Sequence, residues 1–131
     1  MPYLIDTDIC SYYLKGRLEE QFKKAGIGNI WVSRITVAEL MVLAYHRNNR
    51  RFITDIDNIV SYFNFIDIDD SMWKLFSELK ATILKGGKPP GESGDFDILQ
   101  ACIAKVKGFT IVTNNETHFM PLDVPFENWV K

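Results

Sequence analysis

Four short runs rich in apolar, β-branched and aromatic residues, at 3–6, 29–35, 63–69 and 109–113, alternate along the chain with longer stretches of helical periodicity. Strands joined through helices run parallel, because a crossover connection returns the chain to the same end of the sheet. A parallel sheet is in turn covered on both faces, which explains why these runs are apolar throughout instead of alternating. The expected fold is therefore α/β, a short parallel sheet flanked by helices on both faces. In sheets of this kind a site lies beyond the carboxyl ends of the strands. Asp6 and Asn114 fall there by position alone.

The helical stretches differ in character. "TVAELMVLAYH" from Thr36 is apolar on nearly all sides and reads as buried. From Phe52, apolar residues recur at Ile53, Ile56, Ile59, Val60 and Phe63. Met72, Leu75, Phe76, Leu79 and Ile83 repeat at three and four, with Lys74, Glu78 and Lys80 on the outer side. "KGGKPPGESG" (85–94) is the one Gly- and Pro-dense stretch and reads as a loop, too short to join domains. "DFDILQACIAKVKG" then reads as a helix stopped by Gly108. A chain of 131 residues with 47% apolar residues suits one domain, 1–131.

Fifteen basic and seventeen acidic residues give a formal charge of −2, so no general basic field marks the chain as one that coats nucleic acid. An enzyme that holds metal in a carboxylate pocket needs only a local basic rim. Cys10 and Cys102 lie far apart and form no C-x-x-C pair; they read as buried thiols. No apolar run reaches the roughly 18 residues that span a bilayer, and Asp6 and Asp8 interrupt the N-terminus where a signal peptide is apolar. The expected location is cytoplasmic, without membrane attachment.

The acids at helix starts each admit a capping explanation. Thr7 or Asp8 reads as the N-cap of the first helix, and Asp95 as the N-cap of the helix that follows the Gly-Pro loop, with Asp97 at its second position. Glu39 fits a capping box, "TVAE", in which it bonds back to the amide of Thr36. Thr113, Asn114 and Asn115 follow a buried strand, where Asn forms turns without any function. Together, however, these residues gather at the one edge where a parallel sheet places its site. Such a cluster suits a hard divalent cation, Mg²⁺ or Mn²⁺, held by one or two carboxylates and several waters. Without a cation, like charges repel and raise one another's pKa.

Four stretches, "YLIDTDIC", "VSRITVAEL", "GDFDILQACIA" and "GFTIVTNNETHF" with the closing "ENW", resemble the PIN-domain nucleases, and more closely the VapC-type toxins of toxin–antitoxin pairs. The resemblance implies a three-layer PIN-like domain over 1–131 and a Mg²⁺- or Mn²⁺-dependent endoribonuclease that hydrolyses RNA phosphodiester bonds. It assigns Asp6, Glu39 and Asp97 as catalytic, metal-holding acids, with Thr7, Asp8, Thr113 and Asn115 as pocket or substrate support. Many relatives carry a fourth acid where this chain has Asn115, which brings no negative charge. The family further implies an RNA substrate, a small cognate antitoxin of VapB type and a homodimer.

Other residues read more weakly. Arg47, Arg50 and Arg51 are candidate phosphate contacts, and Lys85 and Lys88 a candidate basic rim. His46 and His118 read as surface or supporting residues, and Trp31, Trp73 and Trp129 as core or interface anchors. A strand followed by D-x-D also resembles the nucleophile motif of haloacid-dehalogenase-like phosphatases. Cys10 and the position of Asp69–Asp70, before "IVT" instead of after it, do not fit that pattern. The remaining alternative is a catalytically weak PIN-like scaffold that binds a protein or RNA without cleavage.

Overall fold

The computed structural model describes residues 1–86 and 93–131. Strand β1 (Tyr3–Ile5) leads into helix α1 (Thr7–Leu14), α2 (Glu19–Ala25) and β2 (Ile30–Ser33). An α-hairpin follows, α3 (Arg34–His46) and α4 (Arg50–Tyr62), and then β3 (Asn64–Ile66) and α5 (Asp70–Gly86). The chain closes with α6 (Asp95–Lys107), β4 (Thr110–Val112), the single turn α7 (Glu116–Phe119) and β5 (Phe126–Glu127). The five strands form one sheet in the order β3-β2-β1-β4-β5, every pairing parallel. The α/β expectation therefore holds, with a strand more than the sequence pattern showed. β5 has only two residues and follows Pro125, so it lacks the length from which a strand is recognised.

β1 is the centre of the molecule. Its Leu4 lies opposite Trp31 on one side and Ile111 on the other. Leu4 and Ile5 are both fully buried although they face opposite sides of the sheet. Leu4 packs in a core with Ile98, Ile103, Ile111 and Met72, beneath α5 and α6. Ile5 packs in a second core with Ile9, Leu40, Ile56 and Val112, beneath α1, α3 and α4. One strand thus holds two apolar layers apart, which accounts for its uninterrupted apolar character. Cys10 and Cys102 are buried free thiols, one in each core, as the sequence implied.

The helix starts differ from expectation, with direct consequences for the acids. α3 begins at Arg34, with Ser33 as its N-cap: the Ser33 hydroxyl accepts from the Thr36 amide at 3.3 Å. The sheet carries Ser33 to the strand end, so the cap falls three residues earlier than Thr36 and the "TVAE" box does not form. In α1 the N-cap position is Asp6, whose carbonyl accepts from Ile9 and Cys10 while its side chain points elsewhere. α6 is capped at Gly94, which puts Asp95 first and Asp97 third in the helix. At the far end Gly108 adopts φ +73° and stops α6, a left-handed conformation suited to glycine. The α4 cap is an ordinary one, Asn49 accepting from the Phe52 amide at 3.1 Å. Asn49→Ala is expected to lower stability by about 1 kcal/mol in urea unfolding and to leave the distant acid cluster's function unchanged.

Among the described residues no helix is long and apolar enough to cross a membrane.

Candidate active site

The first acid is set by the sheet itself. The Asp6 amide donates to the Val112 carbonyl at 2.9 Å, one further rung beyond β1. The residue therefore leaves the strand on the carboxyl edge, between the ends of β2 and β4. Its Oδ2 accepts from the Thr113 hydroxyl at 2.9 Å, and Thr113 Oγ1 in turn accepts from the Asn115 amide at 2.9 Å. Asp8 stands two residues on, with Oδ2 accepting from the Asn114 amide and Oδ1 from the Ile9 amide. Asp8 thus ties α1 to the turn after β4, and its carboxylate is spent on backbone donors.

Glu39 comes from α3. With Ser33 capping that helix, Glu39 has no capping duty, and its Oε1 accepts instead from the Thr7 hydroxyl at 2.7 Å. Asp97 comes from α6, where Oδ2 accepts from the Gly94 amide at 3.0 Å and lies 3.2 Å from His118 Nδ1. Asp6, Thr7, Asp8, Glu39, Asp97 and Asn115 line one open cleft of about 460 Å³. Gly94, Asp95, Phe96 and His118 complete its wall. Thr113 lies just beneath, fully buried. All seven expected site residues are therefore brought together.

The cleft gathers several carboxylates, two of them largely buried. Asp6 is only 8% exposed, and burial, reinforced by Asp8 and more weakly by Asp97, pushes its carboxyl up to about 7. The Thr7 amide and the Thr113 hydroxyl pull in the other direction without prevailing. Burial likewise raises Asp8. Burial, with Asp6 and Asp8 adding, also pushes the Cys10 thiol far up, so Cys10 is no nucleophile. Among the described residues no three His, Cys, Asp or Glu side chains converge tightly enough to hold an ion unaided.

Several expectations resolve differently. Asp95 is not a cap but pairs with Lys80 at 2.8 Å on the cleft's outer wall. Arg47, Arg50 and Arg51 sit where α3 passes into α4, at the far end of α3 from its capped start, and do not line the cleft. Lys85 is exposed and outside the cleft lining, and Lys88 lies outside the described residues. Trp31 stacks on Phe109 with centroids 5.2 Å apart, and Trp129 packs edge-on against Tyr3 and Phe22, so both are anchors as expected. Trp73 is 47% exposed. Asp69 accepts from the Met72 amide at the start of α5, well away from any phosphatase-like role beside Asp6. The sequence reading missed Ser33 and Gln100, both buried and hydrogen-bonded to each other at 2.6 Å. The available signal was a glutamine in an otherwise apolar stretch of helix.

A family model for the PIN domain matches residues 3–120, nearly the whole chain and every acid above. The chain belongs to the PIN-domain family. Among curated PIN-domain relatives, the protein named ribonuclease VapC2 of Haemophilus influenzae is 33% identical over 134 aligned positions covering 99% of each chain. The tRNA(fMet)-specific endonuclease VapC of Shigella flexneri is 28% identical, covering 91% of this PIN domain and 90% of its own length. Among solved structures, the VapBC-1 complex of nontypeable Haemophilus influenzae superposes with a TM-score of 0.83 at 26% identity, each chain covered in full. The present PIN domain is therefore of the VapC type, and the sheet order and flanking helices are those of that group.

Proposed function

We propose that this chain is a Mg²⁺- or Mn²⁺-dependent endoribonuclease and the toxin of a VapBC-type toxin–antitoxin pair. The observation that carries the reading is the convergence of Asp6, Glu39 and Asp97 from three separate elements on one cleft, with Asp6 buried and short of positive charge. The donor set is all oxygen, which selects a hard cation. Asp6 and Asp97 would hold the ion, with Glu39 contributing through the solvent side of the cleft. When bound, the ion supplies charge neutralisation at the scissile phosphate and an acidified water.

The protein's own groups do the positioning. Thr113 fixes one oxygen of Asp6 and leaves the other for a ligand. Thr7 does the same for Glu39. Asn115 presents an uncharged amide to the cleft, so the cluster carries less negative charge than it would with a fourth acid there, and repels an RNA phosphate less. Asp8 and Asn114 hold the turn that carries Thr113 and Asn115. The names ribonuclease and endonuclease borne by the relatives support RNA as substrate, and the VapBC neighbour supports a VapB-type antitoxin as partner. A homodimer belongs to the same reading and rests on the likeness to VapC-type proteins.

The test is cleavage of total cellular RNA by purified protein with Mg²⁺ or Mn²⁺, with EDTA, and with added VapB-type antitoxin. Cutting is expected only with metal, absent in the Asp97→Asn protein, and suppressed by the antitoxin. The second reading, a scaffold without cleavage, draws on Asn115 in place of an acid. Metal binding without any cutting of RNA would establish it instead.

A further inference from the structure

The buried polar residues behind the cleft form one connected chain. Gln100 lies one turn beyond Asp97 in α6, within Ile98–Ala104, where every other residue is apolar and the whole stretch is buried. Burying a primary amide is costly unless both of its ends are bonded. Both are: Gln100 Oε1 accepts from the Ser33 hydroxyl at 2.6 Å and Nε2 donates to Thr36 Oγ1 at 3.2 Å. Thr36 Oγ1 lies 3.4 Å from Thr7 Oγ1 and 3.5 Å from the Ile5 carbonyl. Thr7 Oγ1 is 2.7 Å from Glu39 Oε1.

A hydroxyl has a single proton, so the direction of these bonds follows. Thr7 gives its proton to Glu39 Oε1, the shorter of its two contacts. Thr36 Oγ1 then has one proton for two neighbours, Thr7 Oγ1 at 3.4 Å and the Ile5 carbonyl at 3.5 Å. Ser33 accepts from the Thr36 amide, which leaves its own proton for Gln100. The contacts run without a break from Ser33 through Gln100, Thr36 and Thr7 to Glu39, with the Ile5 carbonyl beside Thr36. The chain also joins α6, which carries Asp97, to α3, which carries Glu39, across the start of α1.

We infer that Gln100 is a positioning residue for Glu39, acting through Thr36 and Thr7 to fix the third acid relative to the other two. The inference rests on the metal-dependent nuclease reading for its function and on the hydrogen-bond chain for its structure, and two experiments separate these. In the first, Mn²⁺ affinity is measured by calorimetry. Gln100→Leu, which keeps the volume and removes the amide, is expected to weaken Mn²⁺ binding about tenfold and to lower kcat with KM for RNA little changed. Thr36→Val is expected to reproduce this loss, and Thr36→Ser, which keeps the hydroxyl, to restore binding. This pair carries the comparison if Gln100→Leu does not fold.

The second experiment uses metal-free protein in EDTA and compares the thermal midpoints of Gln100→Leu, Glu39→Ala and the double variant. If the chain connects the two residues, the double variant loses less than the sum of the single losses. Strictly additive losses, or wild-type Mn²⁺ affinity in both Gln100→Leu and Thr36→Val, would overturn the inference. A wild-type protein that neither binds Mn²⁺ nor cuts RNA would refute the nuclease reading, and the metal-free comparison would still decide whether the chain exists.

Discussion

Asp6→Asn is expected to cut RNA on the order of 10³-fold more slowly than wild type, the several kcal/mol that a misplaced metal costs the transition state. In EDTA at neutral pH the same protein is expected to be more stable than wild type, not less. The reason is linkage. Asp6 has its carboxyl raised from an unfolded value of 3.8 to about 7 in the folded protein, chiefly by burial and next by Asp8. The native state therefore holds this proton more tightly than the unfolded chain. Its contribution to stability is fully present below about pH 4 and is lost as pH rises through about 7. Three pKa units correspond to roughly 4 kcal/mol as an upper limit, and relaxation around the site lowers this to about 1–3 kcal/mol.

Asparagine carries no such charge and still accepts the Thr113 hydroxyl. Scans of wild type in EDTA between pH 4 and pH 8 should thus show a decline that is shallower in Asp6→Asn, where Asp8 alone of the two keeps a raised carboxyl. Saturating Mn²⁺ should reverse the order, because an ion bound only to the folded wild type adds about 2.7 kcal/mol at a hundred times its dissociation constant. An Asp6→Asn protein less stable than wild type in EDTA at pH 7.5 would contradict the picture of an uncompensated buried acid.

Leu4→Ala is expected to be the most damaging single truncation. Leu4 is fully buried in the central strand, between Trp31 and Ile111 and beneath the α5–α6 layer. The cavity left in a parallel sheet cannot collapse readily, because neighbours on both sides are fixed by the hydrogen-bond ladder. The cost is about 3–4 kcal/mol, a large share of the roughly 5–15 kcal/mol that holds a domain together. Urea unfolding should show a lower midpoint with an unchanged slope. Because Asp6 stands two residues beyond Leu4, nuclease activity should fall too, and a loss below about 1 kcal/mol would show that β1 is less central than its position implies.

Much of this was legible in the chain itself. The parallel sheet was legible in the alternation of short apolar runs, that of Leu4 and Ile5 among them, with helical stretches. The three acids were legible as a group through their shared position after strands or before helices. What misled was local chemistry at helix starts. "TVAE" satisfies every local requirement of a capping box, yet the ladder between β2 and β3, which extends to Ser33, decides where the helix begins. Asp95 read as the cap and Asp97 as second in the helix, whereas Asp97 bonds back to Gly94 and Asp95 turns outward to Lys80. Gln100 carried its signal openly, as a polar residue on an apolar helix, but its partners are distant in sequence and no spacing rule connects them.

The placement of β1 in the middle of the sheet bears on how the chain is made. The first strand to be synthesised remains open along one edge after β2 has joined it, because its other neighbour, β4, is encoded near the far end. Asp6 and Glu39 can meet early, but Asp97 arrives only with α6. On the proposed reading, a growing or clipped polypeptide that lacks α6 carries two of the three acids and is expected to leave RNA uncut.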